Sequence, residues 1–362
     1  MKASCHADHS RLMSNVVTSG ERLRVRADGR WVRRCRFVHK PVKLVLKVLF
    51  EHVHMILYRE ARDFCKGFYS NPRWFLMRKI GRFERVKALV GFCRRHVRVV
   101  PPSQLAPDPQ QTLFKELDID RSLDALERDG LCLGVNLPLD VVHEIVQFAH
   151  QSRCYGNGKP DWGFFHHDKQ EAAKRCGLKF STADYFNTSE SEVIRRVLND
   201  PALLAIARRY LGAPPVHQGT RLRWSYGAEL SELEKYKYSR MFHYDLDDYK
   251  AIKFFFYLTD VDMKTGPHVC VRGSHKTKRF SHRVLRGRCS DEEVSKYYGT
   301  DKVAVICGPA GTGFAEDAFC MHKGLATIQE DRLVLILEYA LRDYGMQHDA
   351  VDKSRLRGLD CA

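Results

Sequence analysis

From residue 217 onward the chain is a train of short apolar runs cut apart by turn residues. That pattern narrows the fold more than any other feature. RLRWSYG, FHYDL, AIKFFFYL, HVCVRG, KVAVICG, GTGFAED and RLVLILEYAL are strand-length, and Gly, Pro, Asp and Lys/Thr turns separate them. Upstream the period is helical. LERDGLCLGVNLPLDVVHEIVQFAH reads as a helix end, a short strand around LCLGV and a new helix opening near Pro138, where a missing N–H costs nothing. DPALLAIARRYLG reads as an amphipathic helix ended by Gly212. Helices first, then many short strands with no helices between them, predict an α+β chain with an antiparallel β-sandwich or barrel and flanking helices.

The first hundred residues are a different object. They hold 24 Lys and Arg against 7 Asp and Glu, so the chain's whole surplus of +16 resides there. Residues 1 to about 40 are basic and weakly patterned. VKLVLKVLFEHVHMILY and RWFLMRKIGRFERVKALVGFCRRH then carry apolar residues at helical spacing among Arg and Lys, which predicts two or three amphipathic helices. The Pro-rich PPSQLAPDPQQ closes the region. The expected division is a basic, partly disordered and helical extension over 1–110 and a main domain over 111–362. No apolar run approaches the ~20 residues of a membrane span, and the first fifteen residues lack the apolar core of a secretory signal. Twelve cysteines without a C-x-x-C pair argue for reduced thiols and a cytoplasmic protein, peripheral at a membrane surface if the extension binds one. Basic helices interleaved with Phe, Trp, Leu and Met suit an anionic membrane surface or an acidic carrier protein better than nucleic acid, for which no motif is present.

The chemistry is carried by a dispersed constellation. A mononuclear Fe(II) site needs two His and one carboxylate on one face, leaving positions open for a co-substrate and O₂. Residues i and i+2 of a strand share a side, so His243 and Asp245 reach one ion if their segment is extended. H-x-D alone is weak: His6 with Asp8 and His166 with Asp168 repeat it. Asp247 and Asp248 are rival carboxylates. What distinguishes the 243/245 pair is its company. His322 in FAEDAFCMHKG is the best third ligand, and Arg332 opens an apolar strand ten residues later. A lone Arg there is costly to bury unless an anion pairs with it, and its guanidinium fork suits a carboxylate.

FHYDLDDYKAIKFFFYLTDVDMKTGPHVCVRGSHK, with MHKGLATIQEDR after it, resembles the phytanoyl-CoA dioxygenase family, and the similarity runs over roughly 112 to 345. The resemblance implies a double-stranded β-helix (jelly-roll, cupin-like) core with flanking helices. It implies Fe(II) held by His243, Asp245 and His322, Arg332 binding the 2-oxoglutarate co-substrate, and a turn built on Gly266 and Gly273-Ser274-His275-Lys276. The family spacing favours Asp245 over Asp247 and Asp248. The chain departs from the family pattern at Arg272, where Pro is common, and at Gly324, where a co-substrate-binding Ser is common. The implied activity is hydroxylation of an unactivated C–H bond of a small-molecule, carrier-bound or lipid-like substrate, with O₂ consumed and succinate and CO₂ released. The carboxylate at 245 argues against the halogenating relatives, which carry a small residue there. Two other readings stay open: a degenerate family member acting as a binding module, and a cupin-like metalloenzyme independent of 2-oxoglutarate.

Overall fold

A computed structural model describes residues 68–97, 111–227, 241–285, 288–347, 349 and 351–359. Among these, eleven strands form two antiparallel sheets. They are β1 (Leu131–Leu133), β2 (Arg153–Gly156), β3 (Gly163–Phe165), β4 (Thr182–Asp184), β5 (Val216–Ser225), β6 (Ala251–Tyr257), β7 (His268–Val271), β8 (Val303–Ile306), β9 (Gly313–Asp317), β10 (His322–Gly324) and β11 (Arg332–Ala340). The large sheet has the order β1-β9-β6-β11-β5-β4-β2-β3, and the small one β10-β7-β8.

The central strands read as continuous apolar runs because both of their faces are covered. In β11, Leu333, Leu335, Leu337 and Tyr339 face one way, into a core shared with helix residues such as Ile145, Leu203 and Ile206. On the opposite face, Phe255, Tyr257, Phe314 and Val334 pack with Cys270 and Ile306 of the small sheet. The layers are therefore helices, large sheet, small sheet. Side chains at alternate positions of β5, β6 and β11 are directed between the two sheets, where the cavity described below lies.

Local chemistry explains the principal supports. Pro201 opens the helix Pro201–Leu211, and Asp200 caps it by accepting from Ala202 N at 2.9 Å. The same carboxylate accepts from Thr112 Oγ1 at 2.8 Å and Leu113 N at 2.7 Å, tying the start of this segment to the core. Gly212 ends the helix in the left-handed region, φ 69.

Several expectations are corrected. Helices Phe280–Leu285 and Asp291–Tyr298 lie between β7 and β8, where an uninterrupted series of strands was expected. FHYDL is not a laddered strand: Phe242 and His243 make isolated bridges, and pairing ends there. Part of the expected extension packs on the residues that follow it. In helices Pro72–Ile80 and Glu84–Val97 and their flank, Met77 is buried, Asn71 Nδ2 donates to Tyr344 O at 2.6 Å, and Lys87 lies 3.7 Å over the Phe319 ring. The basic segment 1–40, the apolar run 42–58 and most of the Pro-rich linker lie outside the described residues. Among the described residues no helix is long and apolar enough to cross a membrane.

Candidate metal centre

His243 and His322 come together through their backbones. His243 N donates to His322 O at 3.0 Å and His322 N donates to His243 O at 2.8 Å, an antiparallel hydrogen-bonded pair. Phe242 makes the same exchange with Cys289, at 3.1 and 2.8 Å. Asp245 N then donates to Ala318 O at 2.9 Å, which holds the segment extended far enough for its carboxylate to return to the histidines. The two imidazole centroids are 4.5 Å apart. Asp245 Oδ1 lies 3.9 Å from His243 Nε2, and Oδ2 lies 3.5 Å from His322 Nε2. One ligand atom from each of the three residues falls within 4.8 Å of the others.

The ring orientations leave the Nε2 lone pairs for an ion. His243 Nδ1 is 3.0 Å from Met241 O, and His322 Nδ1 is 3.0 Å from Cys320 O. A carbonyl only accepts, so each Nδ1 carries the hydrogen. Glu316 stands behind His322: Oε1 is 2.8 Å from Nδ1, off the line of the N–H, and Oε2 is 2.6 Å from His268 Nε2. A carboxylate behind a ligand imidazole fixes its orientation and raises its basicity. Burial opposes charge on Glu316, but His268 and His322 outweigh it and hold this carboxyl at about 2. Burial, then His322, pushes His243 down to about 3. His322 is also penalised by burial, yet Glu316 and Asp245 raise it to about 10.

Lys253, which sequence reasoning missed, stands in the middle of the site. Its ammonium is 2.6 Å from Asp245 Oδ2, 3.1 Å from Glu338 Oε2 and 3.5 Å from Asp247 Oδ2. Burial disfavours its charge, but the three carboxylates overcome that and hold it well above the ordinary lysine value. The signal was present in AIKFFFYL: a single charge inside an apolar strand, the same anomaly that singled out Arg332.

The three aspartates have three different surroundings. Asp245 faces the histidines. Asp247 is pushed up to about 7 by burial and by Glu338. Asp248, fully buried, accepts from Tyr249 N at 2.7 Å, Leu341 N at 2.8 Å and Tyr344 Oη at 3.3 Å, so its oxygens are taken up by backbone and tyrosine. The decoy pair diverges: His166 stacks on Trp224 with centroids 3.7 Å apart, and Asp168 lies 3.4 Å from His167. His6 and Asp8 lie outside the described residues.

Arg332 lines the same cavity as the three candidate ligands. It is buried, its Nη1 donates to Gly266 O and its Nη2 to Ser225 Oγ at 3.3 Å. Its Nε has no acceptor. Among the described residues no carboxylate pairs with it, since Asp331 turns to Lys169 at 2.5 Å and His166 at 3.8 Å. Burial opposes its charge, and so does Arg223. Gly266 sits at φ 78, and a Cβ there would meet Leu325 O at 2.8 Å, so glycine allows the turn that presents this carbonyl.

The Gly-Ser-His turn acts as a brace. Ser274 Oγ donates to Val271 O at 2.6 Å and accepts from Met321 N at 2.7 Å, fixing the residue before His322. His275 is buried beside Cys320 and Gly130, away from the ligand cluster. Among the described residues one further group has metal-ligand proximity, His282, Cys289 and Glu293.

No protein-family model matches the chain, and no curated protein matches it. Among solved structures it is similar to the epimerase SnoN in complex with Fe3+, alpha ketoglutarate and nogalamycin RO, at 19% identity over 63% of this chain and 87% of that one, TM-score 0.42. HygX from Streptomyces hygroscopicus, with nickel and 2-oxoglutarate bound, is 18% identical over 61% and 86%, TM-score 0.42. EctD from S. alaskensis with bound Fe is 17% identical over 66% and 86%, TM-score 0.41.

Proposed function

We propose that the chain is an Fe(II)- and 2-oxoglutarate-dependent dioxygenase with a double-stranded β-helix core, which hydroxylates a C–H bond of a small or carrier-bound molecule. The observation that carries this is the coexistence, in one cavity, of a convergent His243–Asp245–His322 set and the buried guanidinium of Arg332 with an unused Nε. Either feature alone has bland explanations. Together they match what a two-carboxylate co-substrate on iron requires.

The donor set fits the ion. Two imidazoles and one carboxylate suit Fe(II), and leave coordination positions open for a co-substrate and O₂. Arg332 fits the co-substrate's distal carboxylate, whose charge would offset one that burial otherwise penalises. When bound, iron and 2-oxoglutarate supply the oxidising chemistry, with O₂ consumed and succinate and CO₂ released.

The chain's own residues supply orientation. Lys253 holds Asp245 by Oδ2, and Glu316 fixes the ring of His322. Phe255, Val334 and Ile336 give the cavity an apolar wall on one side. Two assays test the reading: 2-oxoglutarate binding to the Mn(II)-loaded protein without oxygen, and succinate release by the Fe(II)-loaded protein across a substrate panel. His243→Ala is the control. Absence of both sinks it. Persisting activity in Arg332→Ala would instead favour a metalloenzyme that uses no 2-oxoglutarate.

A further inference from the structure

Four cationic side chains line the cavity: Arg221, Arg223, Lys253 and Arg332. Three have a counter-charge or an assigned role. Lys253 has its carboxylates, and Arg332 is assigned to the co-substrate. Arg223 binds Asp184 by two parallel contacts, Nε–Oδ1 at 2.6 Å and Nη2–Oδ2 at 2.9 Å. Arg221 has the remainder. Its Nε comes only within 3.9 Å of the same Asp184 Oδ1, and among the described residues its guanidinium donates no hydrogen bond. One carboxylate therefore serves two guanidinium groups. Arg221 is half-buried; desolvation and Arg223 oppose its charge, while Asp184, Asp245 and Glu338 support it without accepting a hydrogen bond from it.

Strand register separates this surplus from Arg332. Ser225 lies opposite Arg332, whereas Arg221 lies opposite Ile336. Four residues along β5 are about 13 Å, too far for one small carboxylate to bridge both. Arg221 instead stands one same-face step from the row in which Gly219, Glu338 and Lys253 align, and Lys253 touches Asp245. Arg221 is thus on the Lys253 side of the cavity, beside Gly219, which adds no side chain to the wall.

We propose that Arg221 anchors an anionic group, a carboxylate or phosphate oxyanion, on the molecule that is oxidised. This rests on the oxygenase reading and narrows it: the substrate class is acidic. The co-substrate's two carboxylates are already accounted for by Arg332 and the metal, so the anion held by Arg221 belongs to a second molecule.

The test titrates acetate and methyl phosphate, with acetamide as neutral control, into the Mn(II)-loaded protein at fixed ionic strength. Each titration is run with and without saturating 2-oxoglutarate. With 2-oxoglutarate saturating Arg332 and the metal, the expected result is saturable binding of one anion per chain, preferring methyl phosphate or acetate according to the oxyanion the site takes. Arg221→Gln weakens it about tenfold, and Arg221→Lys, which keeps the charge, weakens it less. Both variants keep the wild-type affinity for 2-oxoglutarate, which Arg332→Gln loses. The proposal is overturned if neither anion binds better than acetamide, or if Arg221→Gln binds them unchanged. It is also overturned if Arg221→Gln loses 2-oxoglutarate as fully as Arg332→Gln, which would make Arg221 a co-substrate residue. Wild-type protein that binds the anions but not 2-oxoglutarate defeats the oxygenase reading and leaves an anion site.

Discussion

Glu316 joins two histidines at once: its Oε2 is 2.6 Å from His268 Nε2 and its Oε1 is 2.8 Å from His322 Nδ1. It comes from β9, while His322 opens β10 in the other sheet. A candidate metal ligand on the small sheet is therefore steered by a carboxylate on the large one.

Glu316→Gln removes that charge with little change of shape. Metal affinity should fall by about 10- to 100-fold, with the fold retained. Competition of bound Mn(II) against a chelator of known affinity reads this directly. An unchanged affinity would remove Glu316 from the account.

The three aspartates should separate by phenotype. Asp245→Asn loses metal. Asp247→Asn retains it. Asp248→Ala retains it but loses about 1–3 kcal/mol of stability, because the amides of Tyr249 and Leu341 lose their buried acceptor. Metal content and urea unfolding, measured on the same preparations, distinguish the three.

Arg332→Gln should weaken 2-oxoglutarate binding by about 100-fold, in the range found when one partner of a buried charged contact is removed. Metal content should be unchanged. Isothermal titration on the Mn(II)-loaded protein checks both arms, and a variant that binds 2-oxoglutarate normally would return Arg332 to a structural role.

Lys253→Met leaves Asp245, Asp247 and Glu338 crowded without their ammonium. The expected loss of stability is about 3–5 kcal/mol, with partial recovery in Lys253→Arg. Urea midpoints measured without added metal test it. Wild-type stability in the methionine variant would show that the carboxylates simply take up protons.

His166 offers a pH test away from the metal. Burial pushes it down to about 4 from 6.5, so between those values the unfolded chain binds a proton that the folded chain does not. Stability therefore falls as pH drops through that window, by on the order of 3 kcal/mol. His166→Phe, which keeps a flat ring against Trp224, should flatten this part of the stability–pH curve.

Much of the centre was legible early because its parts break local rules. Arg332 is a charge at the head of an apolar strand, and His243 with Asp245 precedes another. Lys253 breaks the same rule and was overlooked because it lies inside its run. The helices between β7 and β8 were lost for a different reason: FSHRVL and DEEVSKYY are too short for helical periodicity to stand out, at 6 and 8 residues.

The sequence by itself determined the strand-rich second half, the two-sided burial of β6 and β11, and the small set of residues able to hold a metal. Those follow from the length and continuity of the apolar runs and from the cost of burying charge, which are local. Only the tertiary structure decided which aspartate faces the histidines, because a period of two admits Asp247 as well as Asp245 and the paired backbone ends before Asp247. It also decided that Asp331 turns away from Arg332, and that Asp184 is shared between Arg221 and Arg223. A charge's partner is chosen by the packing of distant strands, and nothing in its own neighbourhood of sequence records that choice.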